Sequence, residues 1–320
     1  MQENLCLRYD QPAKVWEENV LPIGNSDLGA SIMGGIRQEQ IILNEKSLWI
    51  GGPSPSRPGY KGGNVSGSVT YLRQVQKALQ EKDHKTVDGL LEKLTGETDG
   101  YGAYQTLGNL FLTFDGVCEE KTSSYQRYLD LNEAVSGVVF SQEGVQYTRE
   151  YLASDPDHVV AMRLCADQKG ALSFTASLDG YPESGTVTVD ADSLSCTGAL
   201  QDNGLRYQER FLFELADGEG EITAEGQRLQ VRHATQVIVY FAAATDYANV
   251  YPTYRSGIDP ADLVRERLEA AKAKGYTAIR QSHIRDYQEL FQRVTLHLEE
   301  KPVEVFTDQL LREYRRKTKE

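Results

Sequence analysis

The chain has 320 residues, 40% hydrophobic and 25% charged, with 34 basic against 47 acidic side chains and a formal net charge of −13 at pH 7. That length buries a large core in one or two domains. The charge excludes nucleic-acid binding through a basic face, because phosphate contacts need clustered Lys and Arg. The four cysteines (Cys6, Cys118, Cys165, Cys196) are widely spaced and form no C-x-x-C, which argues against zinc and for small packed thiols. An even count permits disulfides, but a chain this large does not need them.

In chain order, the start M-Q-E-N-L-C-L-R-Y-D has neither a basic leader nor an apolar core segment. No apolar run approaches membrane length. The expectation is a soluble, cytoplasmic protein with no membrane partner; secretion stays open, and the sequon Asn64-Val65-Ser66 adds little without it. From Leu5 to about Asn64, short apolar segments are punctuated by Gly and Pro. Ile36 to Leu43 reads as a strand entering a turn at Asn44, and Gly51 to Gly63 as a loop. Pro22 to Gly29 reads as a tight turn in which Gly24, Asn25 and Gly29 take positive φ. It lacks the phosphate-loop pattern.

Two helices follow. Val69, Leu72, Val75, Gln76 and Leu79 share one helix face, and Val87, Leu90, Leu91 and Leu94 repeat the spacing. From Thr106 to Asp246 the pattern is β, with expected strands Leu110–Phe114, Tyr125–Leu131, Val135–Ser141, Val145–Ala153, Val159–Cys165, Leu172–Leu178, Leu205–Leu215 and Gln236–Ala244. Thr186–Val189 and Arg228–Val231 are weaker, and Cys196 in S-L-S-C-T reads as a strand residue. Short Gly-, Asp- and Asn-containing turns between consecutive strands predict an antiparallel two-sheet sandwich. In the tail, Asp259-Pro260 opens a helix that Gly275 ends. A second, from about Thr277, places Ile279, His283, Tyr287, Leu290 and Phe291 on one face. Val294 to Leu298 reads as a short strand. Glu299 to Glu320 is charged and reads as a linker.

Chemistry-bearing residues gather in two loops. Leu43-Asn44-Glu45-Lys46-Ser47-Leu48-Trp49 combines an amide, a carboxylate and an indole, the mixture that sugar sites use: aromatic faces pack on sugar C–H groups and planar polar groups bind hydroxyl pairs. The alternative is that Asn44 and Glu45 shape a turn and Trp49 anchors the loop. Tyr101, Tyr104 and Gln105 form a second aromatic–polar loop that joins the first at one rim of the sandwich, or is simply a strand entry. Glu45 with Asp27 is a conceivable carboxylate pair, but no spacing singles it out. His84, His158, His233, His283 and His297 form no ligand set, His283 reads as a packing histidine, and there is no G-x-S-x-G elbow.

The tract from Trp16 to Pro53, W-E-E-N-V-L-P-I-G-N-S-D-L-G-A-S-I-M-G-G-I-R-Q-E-Q-I-I-L-N-E-K-S-L-W-I-G-G-P, resembles the opening of the N-terminal domain of family 95 glycoside hydrolases, the α-L-fucosidases. Further ordered matches are Tyr104 to Leu110, Tyr125 to Leu131, Gly144 to Ser154, Ala243 to Tyr247, and His283 to Val294 with its H-x-x-D-Y-x-x-L-F-x-R-V pattern. Ser26, Asn109 and Asp246 depart from the residues usual there (Gly, Asp and Ser).

The resemblance implies a mainly β fold: a large antiparallel β super-sandwich over residues 1–256 with a small helical insertion at about 67–95. Residues 257–320 would be a C-terminal helical linker beginning the connection to an (α/α)6 catalytic barrel absent from this chain. It also implies inverting hydrolysis of terminal α-1,2-linked L-fucose, no cofactor and no metal, catalytic residues all in the barrel, and hence an inactive chain on its own. The implied partners are the barrel in cis and, through the whole enzyme, a fucosylated oligosaccharide. Asn44, Glu45, Trp49, Tyr104 and Gln105 are the candidates for the rim of the substrate cleft. A stand-alone carbohydrate-binding sandwich and an assembly module are the other two readings.

Overall fold

A computed structural model describes residues 5–60, 65–95, 100–182, 184–296 and 305–317. Its elements run β1 (Cys6–Tyr9), α1 (Trp16–Asn19), β2 (Leu21–Gly24), β3 (Leu28–Ile32), β4 (Gln38–Glu45), α2 (Val69–Gln80), α3 (His84–Thr95), β5 (Gly108–Phe114) and β6 (Thr122–Asp130). There follow β7 (Val135–Gln142), β8 (Val145–Ser154), β9 (Val159–Ala166), β10 (Leu172–Asp179), β11 (Thr186–Val189), β12 (Ser193–Ala199) and β13 (Arg206–Leu215). The last are β14 (Glu221–Glu225), β15 (Arg228–Ala234), β16 (Gln236–Thr245), α4 (Pro260–Lys274), α5 (Tyr276–Phe291) and α6 (Thr307–Lys317). The strands form a nine-stranded sheet, β1-β6-β7-β8-β9-β16-β13-β12-β11, facing a seven-stranded one, β14-β15-β10-β5-β4-β3-β2. Every pairing is antiparallel, so the mainly β sandwich read from the sequence is the observed fold.

The strand patterns follow from which faces are covered. On β4 and β5, buried and half-buried residues alternate, because one face meets the core and the other water. On β16 the run VIVYFAAA is buried throughout. Val237, Val239, Phe241 and Ala243 fill the space between the sheets, while Ile238, Tyr240, Ala242 and Ala244 face Val264, Leu268 and Ala271 of α4 and Ile279 of α5. The two alanines leave room for α4 to lie close to the sheet. Asp259 caps α4 by accepting from the Ala261 N–H at 3.0 Å. Gly275, at φ +79°, turns the chain directly into α5.

Two acidic side chains, Glu39 and Glu209, are fully buried between the sheets. Glu39 of β4 accepts from the N–H groups of Gly34 (2.7 Å), Gly35 (3.3 Å) and Gln40 (3.1 Å), from the Tyr151 hydroxyl (2.9 Å), and pairs with Arg149 of β8 at 3.3 Å. The Arg149 guanidinium donates to the carbonyls of Gly35 and Ile36 and lies 3.9 Å from the Phe114 ring centroid. Glu209 of β13 is different. It is fully buried beside Tyr207 and Phe211, and its Oε2 has no hydrogen-bond partner among the described residues. Burial alone pushes its carboxyl well above the ordinary value, which favours the neutral acid.

Several expectations need correcting. Gly24, Asn25 and Gly29 do not take positive φ. The turn is held by the Asn25 side chain instead, whose Oδ1 accepts from the N–H groups of Asp27 (2.9 Å) and Leu28 (2.7 Å). Strands β1, β2, β3 and β14 were not legible: the first three have four or five residues, and β14 is an edge strand with little apolar patterning. Val294 to Leu296 form no strand; His297, Leu298 and Asn64 lie outside the described residues. The charged tail contains α6, whose Thr307 hydroxyl accepts from the Arg8 N–H at 2.9 Å, so the helix packs beside edge strand β1. Of the predicted α2 face, Val75 is buried, whereas Leu72 and Leu79 are exposed, because the hairpin of α2 and α3 packs mainly on itself. All four cysteines are free thiols.

Arg149→Leu leaves the Glu39 carboxylate buried without its counter-charge and should cost about 3–5 kcal/mol in denaturant unfolding. For Glu209 the folded-state pKa lies above the unfolded one. The unfolded chain therefore releases this proton above about pH 4.3 while the folded chain keeps it, and stability is lost as pH rises. The melting temperature of Glu209→Gln should exceed the wild type's by a margin that is smallest near pH 4 and widens toward pH 8.

Candidate functional site

Strand β4 delivers Asn44 and Glu45 to one end of the sandwich, but its alternation points them to opposite faces. Glu45 turns inward and is buried; Asn44 turns outward, its Cβ against Gly29 of β3. Glu45 Oε2 accepts from the Ser47 N–H (2.7 Å) and hydroxyl (2.8 Å), and that hydroxyl lies 2.5 Å from Thr245 Oγ1 at the end of β16. The turn after β4 is thereby stitched to the opposite sheet. Burial pushes the Glu45 carboxyl up, the two Ser47 hydrogen bonds oppose this, and the Asp27 charge adds to it.

Beyond the turn, the Trp49 indole N–H donates to the Lys46 carbonyl at 3.0 Å, leaving the ring half exposed. Its backbone bridges to Tyr104, and the two rings meet edge to face at 5.4 Å and 61°. The Tyr104 hydroxyl donates to the Glu45 carbonyl at 3.1 Å, and burial with the Glu45 charge pushes its pKa up to about 12. Gln105 lies alongside, its N–H on the Leu48 carbonyl and its amide on the carbonyls of Ala103 and Tyr104. The two loops touch so closely that a Cβ on Gly102 would sit 1.7 Å from the Ile50 carbonyl oxygen. Glu45, Trp49, Tyr104 and Gln105 therefore form one ledge, and Asn44 stands apart from it.

Asp27 does not complete a proton-transfer pair with Glu45. Its carboxylate binds Lys46 (2.7 Å), Arg267 of α4 (3.0 Å) and His158 (3.1 Å). Burial opposes ionisation, but the Lys46 hydrogen bond and the charges of Arg267, Lys46 and His158 hold the carboxyl below its usual value. This is a tie between the β2–β3 turn, the β8–β9 turn and α4. His283 is buried beside the backbone carbonyls of Glu133 and Ala134 at 3.0 and 3.1 Å, a satisfied packing histidine.

Distant loops also reach the ledge, which sequence reasoning missed. Asn203 donates to the carbonyls of Trp49 (2.9 Å) and Gly51 (2.8 Å), and Asp202 accepts a bidentate pair from Arg57 at 2.8 and 2.6 Å. The only sequence signal was Asp202-Asn203-Gly204 as a turn. Asp246, one of the departures from the family pattern, binds Arg206 at 3.0 Å and Arg255 at 3.5 Å and so fixes the next loop. Among the described residues, no group of three or more His, Cys, Asp or Glu side chains could hold a metal ion, and no helix is long and apolar enough to cross a membrane.

This sandwich, with its helices laid on the outer face of one sheet, meets its match in a family model described as "Glycosyl hydrolase family 65, N-terminal domain", which aligns with residues 7–250. The chain belongs to that domain family. Its relatives include "Alpha-L-fucosidase 2" of Arabidopsis thaliana, 29% identical over 92% of this chain and 36% of that protein. Another is "Probable alpha-fucosidase A" of Aspergillus oryzae, 28% identical over 91% of this chain and 41% of that protein. The domain thus spans well under half the length of these curated relatives. A solved structure titled "Putative kojibiose phosphorylase from human microbiome" shares the fold at a TM-score of 0.52, with 10% identity over 89% of this chain and 38% of that one.

Asp27→Asn should cost about 2 kcal/mol at pH 7, since it leaves the half-buried Arg267 without its carboxylate. Because the folded pKa is depressed, the stabilisation is present above the unfolded value near 3.9 and disappears as pH falls through the folded one. Denaturation curves of wild type and variant should accordingly converge in acid.

Proposed function

We propose that the chain is the N-terminal accessory domain of an inverting α-L-fucosidase of glycoside hydrolase family 95. The whole enzyme would remove terminal α-1,2-linked L-fucose from oligosaccharides. The domain packs in cis against the catalytic barrel and supports it through residues 257–320, and it uses no cofactor. The ledge of Glu45, Trp49, Tyr104 and Gln105 stands at the rim of the cleft, where it limits the entry of water beyond the one that inversion requires. Asn44, on the outer face beside it, contacts the barrel.

One observation carries the reading. Inverting hydrolysis needs two accessible carboxyl groups with room for water between them. The two carboxyl groups that could be paired here are already engaged, Asp27 by Lys46, Arg267 and His158 and Glu45 by Ser47 inside the fold. The fucosidase names of relatives more than twice as long point the same way.

Fucose release from 2′-fucosyllactose is expected from a version of the protein carrying the barrel and not from the 320-residue chain. Release by the short chain would overturn the reading and direct attention to Glu45.

A further inference from the structure

Beside the ledge, the loop from Asp246 to Ser256 folds back on itself. Tyr247 bridges to Arg255, the Tyr254 N–H donates to the Val250 carbonyl at 2.8 Å, and the Ser256 N–H to the Asp246 carbonyl at 2.8 Å. This closure puts Tyr254 at φ +52°, a left-handed conformation that aromatic residues rarely adopt. It also lifts Tyr251 to the tip, where the side chain is 81% exposed. The rings of Tyr251 and Tyr254 stand 6.3 Å apart at 86°, forming two walls of a corner. Across it lie Tyr60, Arg57 and Asn203, and the groove they enclose with Pro252 measures about 750 Å³, within the range of small-molecule sites.

The chemistry of the walls restricts the occupant. Both arginines are paired in place: Arg57 with Asp202, and Arg255 in a network of two cations and two anions with Arg206, Asp246 and Asp259, so neither is an unpaired cation offered to an anion. Its lining combines three tyrosines and four prolines with the hydroxyls of tyrosine, Ser54 and Thr253, so flat apolar faces stand beside hydrogen-bonding groups. A molecule with C–H faces and a rim of hydroxyls fits both features. The arginines are held in place: Arg57 by two hydrogen bonds to Asp202 and one to the Gly52 carbonyl, and Arg255 by donating to the Asn203 and Tyr254 carbonyls.

We infer that this groove is a binding site for neutral oligosaccharide, with one sugar face stacked on Tyr251, and that it holds glycan without any contribution from a catalytic barrel. The site is separate from the ledge but shares Asn203 with it, so a chain seated here runs toward Trp49. The choice of a glycan rests in part on the proposed function; the groove's own geometry does not.

Calorimetric titration of 2′-fucosyllactose into the 320-residue chain tests this directly. Saturable binding is expected, with Tyr251→Ala weakening it roughly tenfold or more and Tyr251→Phe, which keeps the ring face, retaining it. The exposed position of Tyr251 means that both variants should melt with the wild type. Absence of saturable binding, or equal binding by Tyr251→Ala, would overturn the inference. So would a wild type that binds no sugar while Tyr251→Ala weakens barrel association, since the groove would then be a protein contact. The two proposals fail separately: fucose release by the barrel-bearing protein without sugar binding by the short chain leaves only the proposed function standing, and the reverse leaves only the groove.

Discussion

Glu39 and Arg149 approach each other from facing sheets, and the positions of the loops depend on that meeting. A carboxylate and a guanidinium removed from water would each cost several kcal/mol if left alone. Here the carboxylate takes three backbone N–H groups and a tyrosine hydroxyl, and the guanidinium takes two carbonyls and lies on an aromatic face. All these partners lie at defined points on β4, β5, β8 and the loop before β4. The pair therefore sets how one sheet sits over the other, where apolar packing alone would tolerate a small slide. Six residues further along β4, Glu45 repeats the device in a milder form, reaching the opposite sheet through Ser47 and Thr245.

The loop end of the sandwich is governed by paired charges. Asp27, Asp202 and Asp246 each collect arginine or lysine from elements far away in sequence, and each pair fixes one loop relative to its neighbour. The consequence is an aromatic surface standing on saturated electrostatics. Trp49 and Tyr104 have their polar edges bound to main-chain carbonyls, which leaves ring faces as the available surface. Tyr251 and Tyr254 continue that surface on the far side of Asn203. The carboxylates behind this face are held in ion pairs and hydrogen bonds, so its exposed surface is mainly ring carbon.

The N-terminal domain family to which the chain belongs is matched here over most of the sandwich, and the α-fucosidase relatives extend well beyond the part aligned. The helices α4 and α5 cover the outer face of the larger sheet, with Arg267 anchored on Asp27 and Tyr276 on Glu150, so the tail is built into the sandwich.

Much of this was legible in the sequence because it is local. The alternation on β5 and β10, the unbroken apolar run of β16, the Asp-Pro start of α4 and Gly275 at its end each report their structure through neighbouring residues. The approach of the Trp49 and Tyr104 loops was one of two readings that the sequence left open, and ordered motifs carried the kinship to α-fucosidases. Other features had no local signal. The four short strands β1, β2, β3 and β14 are defined by what they pair with, and α6 by its packing beside β1. The separation of Asn44 from Glu45 follows from period-two alternation once the register of β4 is known. Sequence thus determined most of the longer strands and helices, the sandwich class and the kinship, since propensity, periodicity and motif order act over a few residues. Only tertiary structure decided which acids were engaged and which aromatic faces stayed open, because partners such as Asp27 and Arg267 lie 240 residues apart and meet only when the sheets close.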